Sequence, residues 1–262
     1  MSFSRSHSVK IHYQLLGSGD PTVVFLHGLV MDNLSSWFFT MANAVSRSAR
    51  VLLYDLRGHG FSERPREGYG LELHVDDLEA LLEELGITGP VILVGNSFGG
   101  LLALSFARRH PARVAGLILV DGQVNDAAWK DQMVRSLRLE GAQRDEAIAK
   151  NFQSWQGRNS RRKSSRLAEN AMDLVNGTSL VEDLRGSEIV RDDELRAITA
   201  PTLAIYGADS DIIATGRKLG ALLPNAELKV FDKTTHSVLW EKTEEVKTVI
   251  LNRITRWQDS CS

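Results

Sequence analysis

Short, uninterrupted apolar runs recur along the chain, and each stops at glycine or a polar turn. Thr22–Leu26 (TVVFL), Val51–Tyr54 (VLLY), Val91–Val94 (VILV) and Leu117–Val120 (LILV) are of this kind in the first half. Runs of four or five β-branched and leucine residues without alternation suit strands buried on both faces, as in a parallel sheet. Between them the period changes. Leu78, Leu81, Leu82 and Leu85 fall on one face of a helix predicted over Leu73–Leu85 and ended by Gly86. Further helices are predicted around Trp37–Arg47 and from Gly100 to Arg109, where Pro111 follows. The alternation of strand and helix predicts an α/β fold with a right-handed, doubly wound, mostly parallel sheet. Val9–Leu16 alternates loosely and reads as an early antiparallel strand ahead of the turn Gly17–Pro21.

The pattern then breaks. From Gly122 to Ala197 the chain is polar, charged and helix-prone, with no strand signal. Buried strands resume at Pro201–Tyr206 and Leu228–Phe231, and a last helix is predicted over Thr243–Trp257. The expected organisation is one core domain, 1–121 plus 198–262, interrupted by a helical cap at 122–197.

Composition narrows the function classes. The chain has 262 residues, 43% hydrophobic and 24% charged, with a formal net charge of −2. That balance offers no basic surface for nucleic acid or anionic lipid. No apolar run reaches the roughly 18–20 residues of a membrane span. The single cysteine, Cys261, cannot form an intrachain disulfide, and the polar start of the chain lacks a signal-peptide core. A soluble, cytoplasmic protein without nucleic-acid or membrane partners is expected.

Gly95-Asn96-Ser97-Phe98-Gly99 has the spacing G-x-S-x-G between a predicted strand and a predicted helix. Such a turn is sharp, and its flanking glycines let strand and helix backbones approach closely. It lifts the serine hydroxyl from the carboxyl edge of the sheet and puts the Phe98 amide at the positive end of the helix. A phosphate-binding loop is the bland alternative, but no Lys-Ser/Thr follows. His27, His59 and Asp55 match no metal-ligand spacing, and no metal or organic cofactor is expected.

FLHG (25–28), DLRGHGFSERP (55–65), GNSFGG (95–100), RHPARV (109–114), PTLAIYGADSD (201–211) and His236 occur in order over nearly the whole chain. Together they resemble the α/β-hydrolase fold family. The resemblance implies a serine nucleophile at Ser97, a base at His236 and an acid between them. Relatives that act on haloalkanes or epoxides carry Asp where Ser97 stands, so those chemistries are disfavoured. Asp211 is the expected acid, with Asp209 and Asp121 as alternatives. Family members often show Gly-x-x-Asp here, and Ser210 occupies that position. They also usually have Gly before the histidine, where this chain has Thr235. The His27-Gly28 turn implies an oxyanion hole formed by the Leu29 and Phe98 amides, with His27 and His59 as loop supports.

The cap is expected to cover the nucleophile. Trp129, Met133 and Trp155 are candidate substrate-binding residues, with Leu137, Phe152 and Met172 as further apolar members. Each can equally serve only to pack the cap. Arg158, Arg161, Arg162, Lys163 and Arg166 form either a solvated helix face or a dock for an acyl carrier protein. The expected activity is hydrolysis of an ester or thioester through an acyl-enzyme. Two rivals remain on the same fold. GNSFGG and the pair Trp240-Glu241 resemble carbon–carbon hydrolases acting on meta-cleavage products, although Leu29–Asn33 departs from their glycine-rich loop. A non-catalytic ligand receptor is the other.

Overall fold

The computed structural model describes residues 2–6, 9–139, 143 and 161–259. Eight strands form one sheet: β1 Ser2–Ser6, β2 Val9–Leu16, β3 Val23–Leu26, β4 Val51–Tyr54, β5 Val91–Asn96, β6 Val114–Val120, β7 Thr202–Gly207 and β8 Ala226–Phe231. Their spatial order is β1-β2-β4-β3-β5-β6-β7-β8. β1–β2 and β2–β4 pair antiparallel, and every pair from β4 onward is parallel. The mostly parallel α/β sheet expected from the strand–helix rhythm is the one observed. β1 was not predicted. Its sequence, SFSRS, is polar, and an edge strand of that kind gives no apolar signal.

The buried runs work by simple alternation. Along β3, Val24 and Leu26 face one core while Val23 and Phe25 face the other. Leu117 and Leu119 of β6 oppose Ile118 and Val120 in the same way. Period-two alternation sends successive side chains to opposite faces, so a strand with two covered faces must be apolar throughout. Helices Leu71–Glu84 and Phe98–Arg109 cover one face, and the C-terminal helix Thr243–Asp259 covers the other with Val246, Ile250 and Ile254. Edge strand β8 shows the contrasting pattern, with no fully buried residue.

Between β6 and β7 lies the helical insertion, with helices Ala127–Leu137, Arg161–Gly177, Leu180–Gly186 and Asp192–Arg196. The predicted Trp37–Arg47 helix is a composite over residues 35–45, with a π-turn at Phe38–Ala42. Among the described residues, no helix is long and apolar enough to cross a membrane.

Candidate active site

The carboxyl ends of parallel strands are where the chain turns and backbone groups come free, so ligands gather there in open α/β sheets. At this edge β3, β5, β6, β7 and β8 each deliver one part of a site. Ser97 follows β5 directly, and its backbone sits at φ 52° and ψ −114°. That conformation is costly for a residue with a Cβ and is held by its surroundings. Its N–H bonds the Val120 carbonyl at 3.0 Å, and its own carbonyl accepts from Gly100 N at 3.0 Å. A Cβ on Gly99 would fall onto the Leu26 carbonyl, and one on Gly95 onto the Gly99 carbonyl. Only glycine admits so close an approach of strand and helix.

His236 lies in the loop between β8 and the helical turn Val238–Glu241. Its Nε2 is 3.1 Å from Ser97 Oγ, and its Nδ1 is 2.6 Å from Asp121 Oδ2. Thr235, where glycine is usual, is braced by Glu241: its N–H and hydroxyl both donate to that carboxylate, at 2.7 and 2.8 Å. The short helical turn from 237 to 241 brings Glu241 back to the loop, a local pairing visible in sequence only as a spacing of six.

The acid partner differs from the expected one. Asp211 makes no hydrogen bond to His236. Its carboxylate is exposed and accepts from Gln132 Nε2 of the insertion at 2.8 Å. Asp209 is exposed as well. Asp121, the residue after β6, is fully buried and reaches the imidazole. Its backbone turns through φ 45°, which swings the carboxylate out of the sheet and across to the β7 loop. There Oδ1 accepts from Gly207 N at 3.0 Å, while Oδ2 accepts from Ser210 Oγ at 2.5 Å as well as from the imidazole. The sequence reading favoured Asp211 because an apolar pair follows it, but that pair marks only where the chain turns back into the core. Ser210 is buried between exposed Asp209 and Asp211, and neither carboxylate hydrogen-bonds His236.

His236 feels opposing forces. Burial pulls its pKa down, but the hydrogen bond and charge of Asp121, with Asp211 adding, raise it above the ordinary histidine value. Tyr206 sits beside the acid and donates its hydroxyl to the Gly122 carbonyl at 2.6 Å. Burial, with Asp121 adding, pushes that phenol well up, so it stays protonated.

The loop after β3 brings the remaining groups. Gly28 N–H donates to Asp32 Oδ2 at 2.8 Å, and Val30 N–H to His59 Nε2 at 2.7 Å. Between them the Leu29 amide has no acceptor among the described residues. The Phe98 amide, at the first position of its helix, has no intrahelical acceptor either. Val30 has φ 66°, a true outlier for a β-branched residue. Its N–H must meet a neutral imidazole, and burial with the nearby His27 lowers His59 to about 3. His59 Nδ1 is 2.9 Å from the Arg57 carbonyl, which fixes the ring as the Nδ1–H tautomer. His27 is held in the same way, between the Gly28 carbonyl and the Leu56 N–H. Asp32 carries no sequence motif, and only its hydrogen bonds identify it as a loop brace.

One profile decides the family. The α/β hydrolase fold profile matches residues 21–243. The chain belongs to the α/β-hydrolase fold family. This α/β-hydrolase is 31% identical over 248 residues to a 2-hydroxy-6-oxo-2,4-heptadienoate hydrolase of Pseudomonas putida, covering 88% of the chain and 86% of that protein. It is 26% identical over 254 residues to the non-heme chloroperoxidase CPO-A1 of Kitasatospora aureofaciens, covering 88% and 90%. An esterase of Rhodococcus sp. ECU1013 superposes with a TM-score of 0.81 at 22% identity, over 97% of this chain and 99% of that one.

The candidate pocket residues are spread unevenly. Trp129 and Met133, 7% and 6% exposed, join the apolar core that the insertion shares with one face of the sheet. Trp129 stacks on Phe98 with ring centres 6.4 Å apart, and His74 meets the same ring edge-on at 5.2 Å. Leu137 packs against that core, and Met172 is 38% exposed. Phe152, Trp155 and Arg158 lie outside the described residues. Arg161, Arg162, Lys163 and Arg166 fall within helix Arg161–Gly177. Trp240 packs against the core on the far face of the sheet.

Proposed function

We propose that this α/β-hydrolase cleaves esters or thioesters of small to medium acyl groups through an acyl-enzyme on Ser97. The observation that carries the reading is the continuous chain from Ser97 Oγ through His236 to the buried Asp121, at 3.1 and 2.6 Å. A serine hydroxyl needs a positioned base, and a base needs an orienting partner on its other nitrogen. His236 Nε2 takes the hydroxyl proton as Oγ bonds to the carbonyl carbon. The Leu29 and Phe98 amides receive the oxygen that becomes negative, where preorganised donors act most strongly. The resulting imidazolium, held by Asp121, passes its proton to the departing alcohol or thiol. Water then attacks the acyl-enzyme with His236 again as base, and the carboxylic acid leaves.

Rapid mixing with p-nitrophenyl butyrate tests this reading. Wild type is expected to give a stoichiometric burst of p-nitrophenol that Ser97→Ala lacks. Equal slow release from both proteins would overturn it. A second reading rests on the Pseudomonas putida relative and GNSFGG: carbon–carbon hydrolysis of a 2-hydroxy-6-oxo-dienoate. Loss of the dienoate chromophore on the same stopped-flow instrument distinguishes the two. The substrate panel includes free and carrier-bound acyl thioesters, because the sequence groups Arg161, Arg162 and Lys163 in one helix of the insertion.

A further inference from the structure

Ser210 lies outside the Ser97–His236–Asp121 chain, yet its hydroxyl is committed to it. Its Oγ is 2.5 Å from Asp121 Oδ2, the same oxygen that accepts from His236 Nδ1. The direction of this bond follows from its other contact. The Ile212 N–H donates to Ser210 Oγ at 3.2 Å, so the hydroxyl proton is left to point at the carboxylate. Ser210 is 4% exposed, and Asp121 is fully buried. Water therefore has little room to replace the hydroxyl, and Asp121 Oδ2 is shared between a fixed neutral donor and the imidazole.

We propose that Ser210 is a positioning residue that holds the Asp121 carboxylate toward His236 and moderates how strongly it retains the imidazolium. The proposal rests on the catalytic reading of the site given above. A hydrogen bond donated to a carboxylate spreads its charge and lowers its basicity. With Ser210 present, Asp121 orients His236 and stabilises the imidazolium without trapping the proton. Without it, Oδ2 has one donor instead of two, becomes more basic, and grips the imidazolium harder. The base then stays protonated to a higher pH and is a poorer acceptor at neutrality.

The other groups facing this cluster do not duplicate that role. Gly207 N donates to Oδ1, the other carboxylate oxygen. Tyr206 spends its hydroxyl on the Gly122 carbonyl. Asp211 acts on His236 through charge and hydrogen-bonds to Gln132. Glu241 is held by Thr235. Ser97 is on the opposite nitrogen.

The test compares wild type with Ser210→Ala, Ser210→Thr and Ser210→Cys in two measurements. The first is the pH dependence of kcat/KM with p-nitrophenyl butyrate. The second is the titration of the His236 ring followed by NMR, which needs no turnover. Ser210→Ala is expected to raise the midpoint of both curves by about half a pH unit and to lower kcat/KM at pH 7 by up to about threefold. Ser210→Thr, which keeps the hydroxyl, restores the wild-type midpoint. Ser210→Cys, a weak donor of similar shape, moves it in the same direction as Ala and serves if Ala does not fold. An unchanged or lowered midpoint in the Ala and Cys proteins overturns the proposal, as does a Thr protein that behaves like Ala. If wild type releases no p-nitrophenol, the hydrolase reading fails, while the NMR midpoints still decide whether Ser210 moderates the Asp121–His236 pair.

Discussion

The ends of β6 and β7 make an instructive pair. They are neighbours in the sheet, both finish at the carboxyl edge, and both hand the chain to an acidic residue within a few positions. β6 ends in a single aspartate, fully buried at φ 45°, whose two oxygens take three hydrogen bonds. β7 ends in a loop with two aspartates, both exposed, around one buried serine. The first end supplies charge to His236 at contact distance. The second supplies hydrogen-bond donors that hold that charge in place, from Gly207 and Ser210. Neighbouring strand ends thus divide one task. What separates them is the direction in which each backbone turns, rather than the residue types they offer.

The largest expected effect breaks the first half of this division. Asp121→Asn keeps the shape but removes the charge and presents the wrong hydrogen-bond pattern to Nδ1. A loss of about 10³–10⁴ in kcat is expected by comparison with the same change in a serine protease triad. The low-pH limb of kcat/KM should also move down, because Asp121 is what lifts His236 against its burial. A variant keeping more than a tenth of wild-type kcat would return the acid role to the β7 loop. A smaller effect tests the shaping role of β7. A Cβ on Gly207 would fall onto the Thr234 and Thr235 carbonyls, so Gly207→Ala must push the His236 loop away. Overpacking of this kind costs about 1–3 kcal/mol, read as a lowered midpoint in urea unfolding, with a fall in kcat alongside. The smallest effect comes from Asp211→Asn. Its charge adds to the upward pull on His236, so the low-pH limb should shift slightly downward, by less than Asp121→Asn and less still in high salt. A loss of kcat comparable to that of Asp121→Asn would overturn the comparison.

How much of this was visible in the chain differs by level. The central strands announce themselves because two covered faces demand apolar residues throughout, and Val23–Leu26 or Val51–Tyr54 admit no other easy reading. The elbow is visible because backbone contact leaves a glycine signature at 95, 99 and 100. The acid is different. Several aspartates follow strands, and sequence carries no mark of a φ of 45° at Asp121 or of the burial that separates it from Asp211. One support of the β3 loop is similarly silent. His59 is expected there from its motif, but Asp32 braces the Gly28 N–H, and that bond joins residues with no shared period or motif. In the insertion, helical propensity was legible, but Trp129 could not be assigned to a pocket or to packing before its stack on Phe98 was seen.

The first residues after Asp121 have a consequence for anyone exchanging the helical insertion between members of this fold. Gly122 packs backbone to backbone against Gly100, its carbonyl is held by Tyr206, and the Gln123 N–H binds the Ser97 carbonyl at 3.2 Å. Asn125 then closes the seam toward the far side of the insertion, bonding the Glu188 carbonyl and receiving the Val190 N–H. By sequence these residues belong to the insertion, but their packing and hydrogen bonds tie them to Ser97 and the elements around it. A graft cut at residue 122 would replace the residues that brace the Ser97 turn along with the insertion. One cut at Asp126, the N-cap of helix Ala127–Leu137, would leave those braces in place.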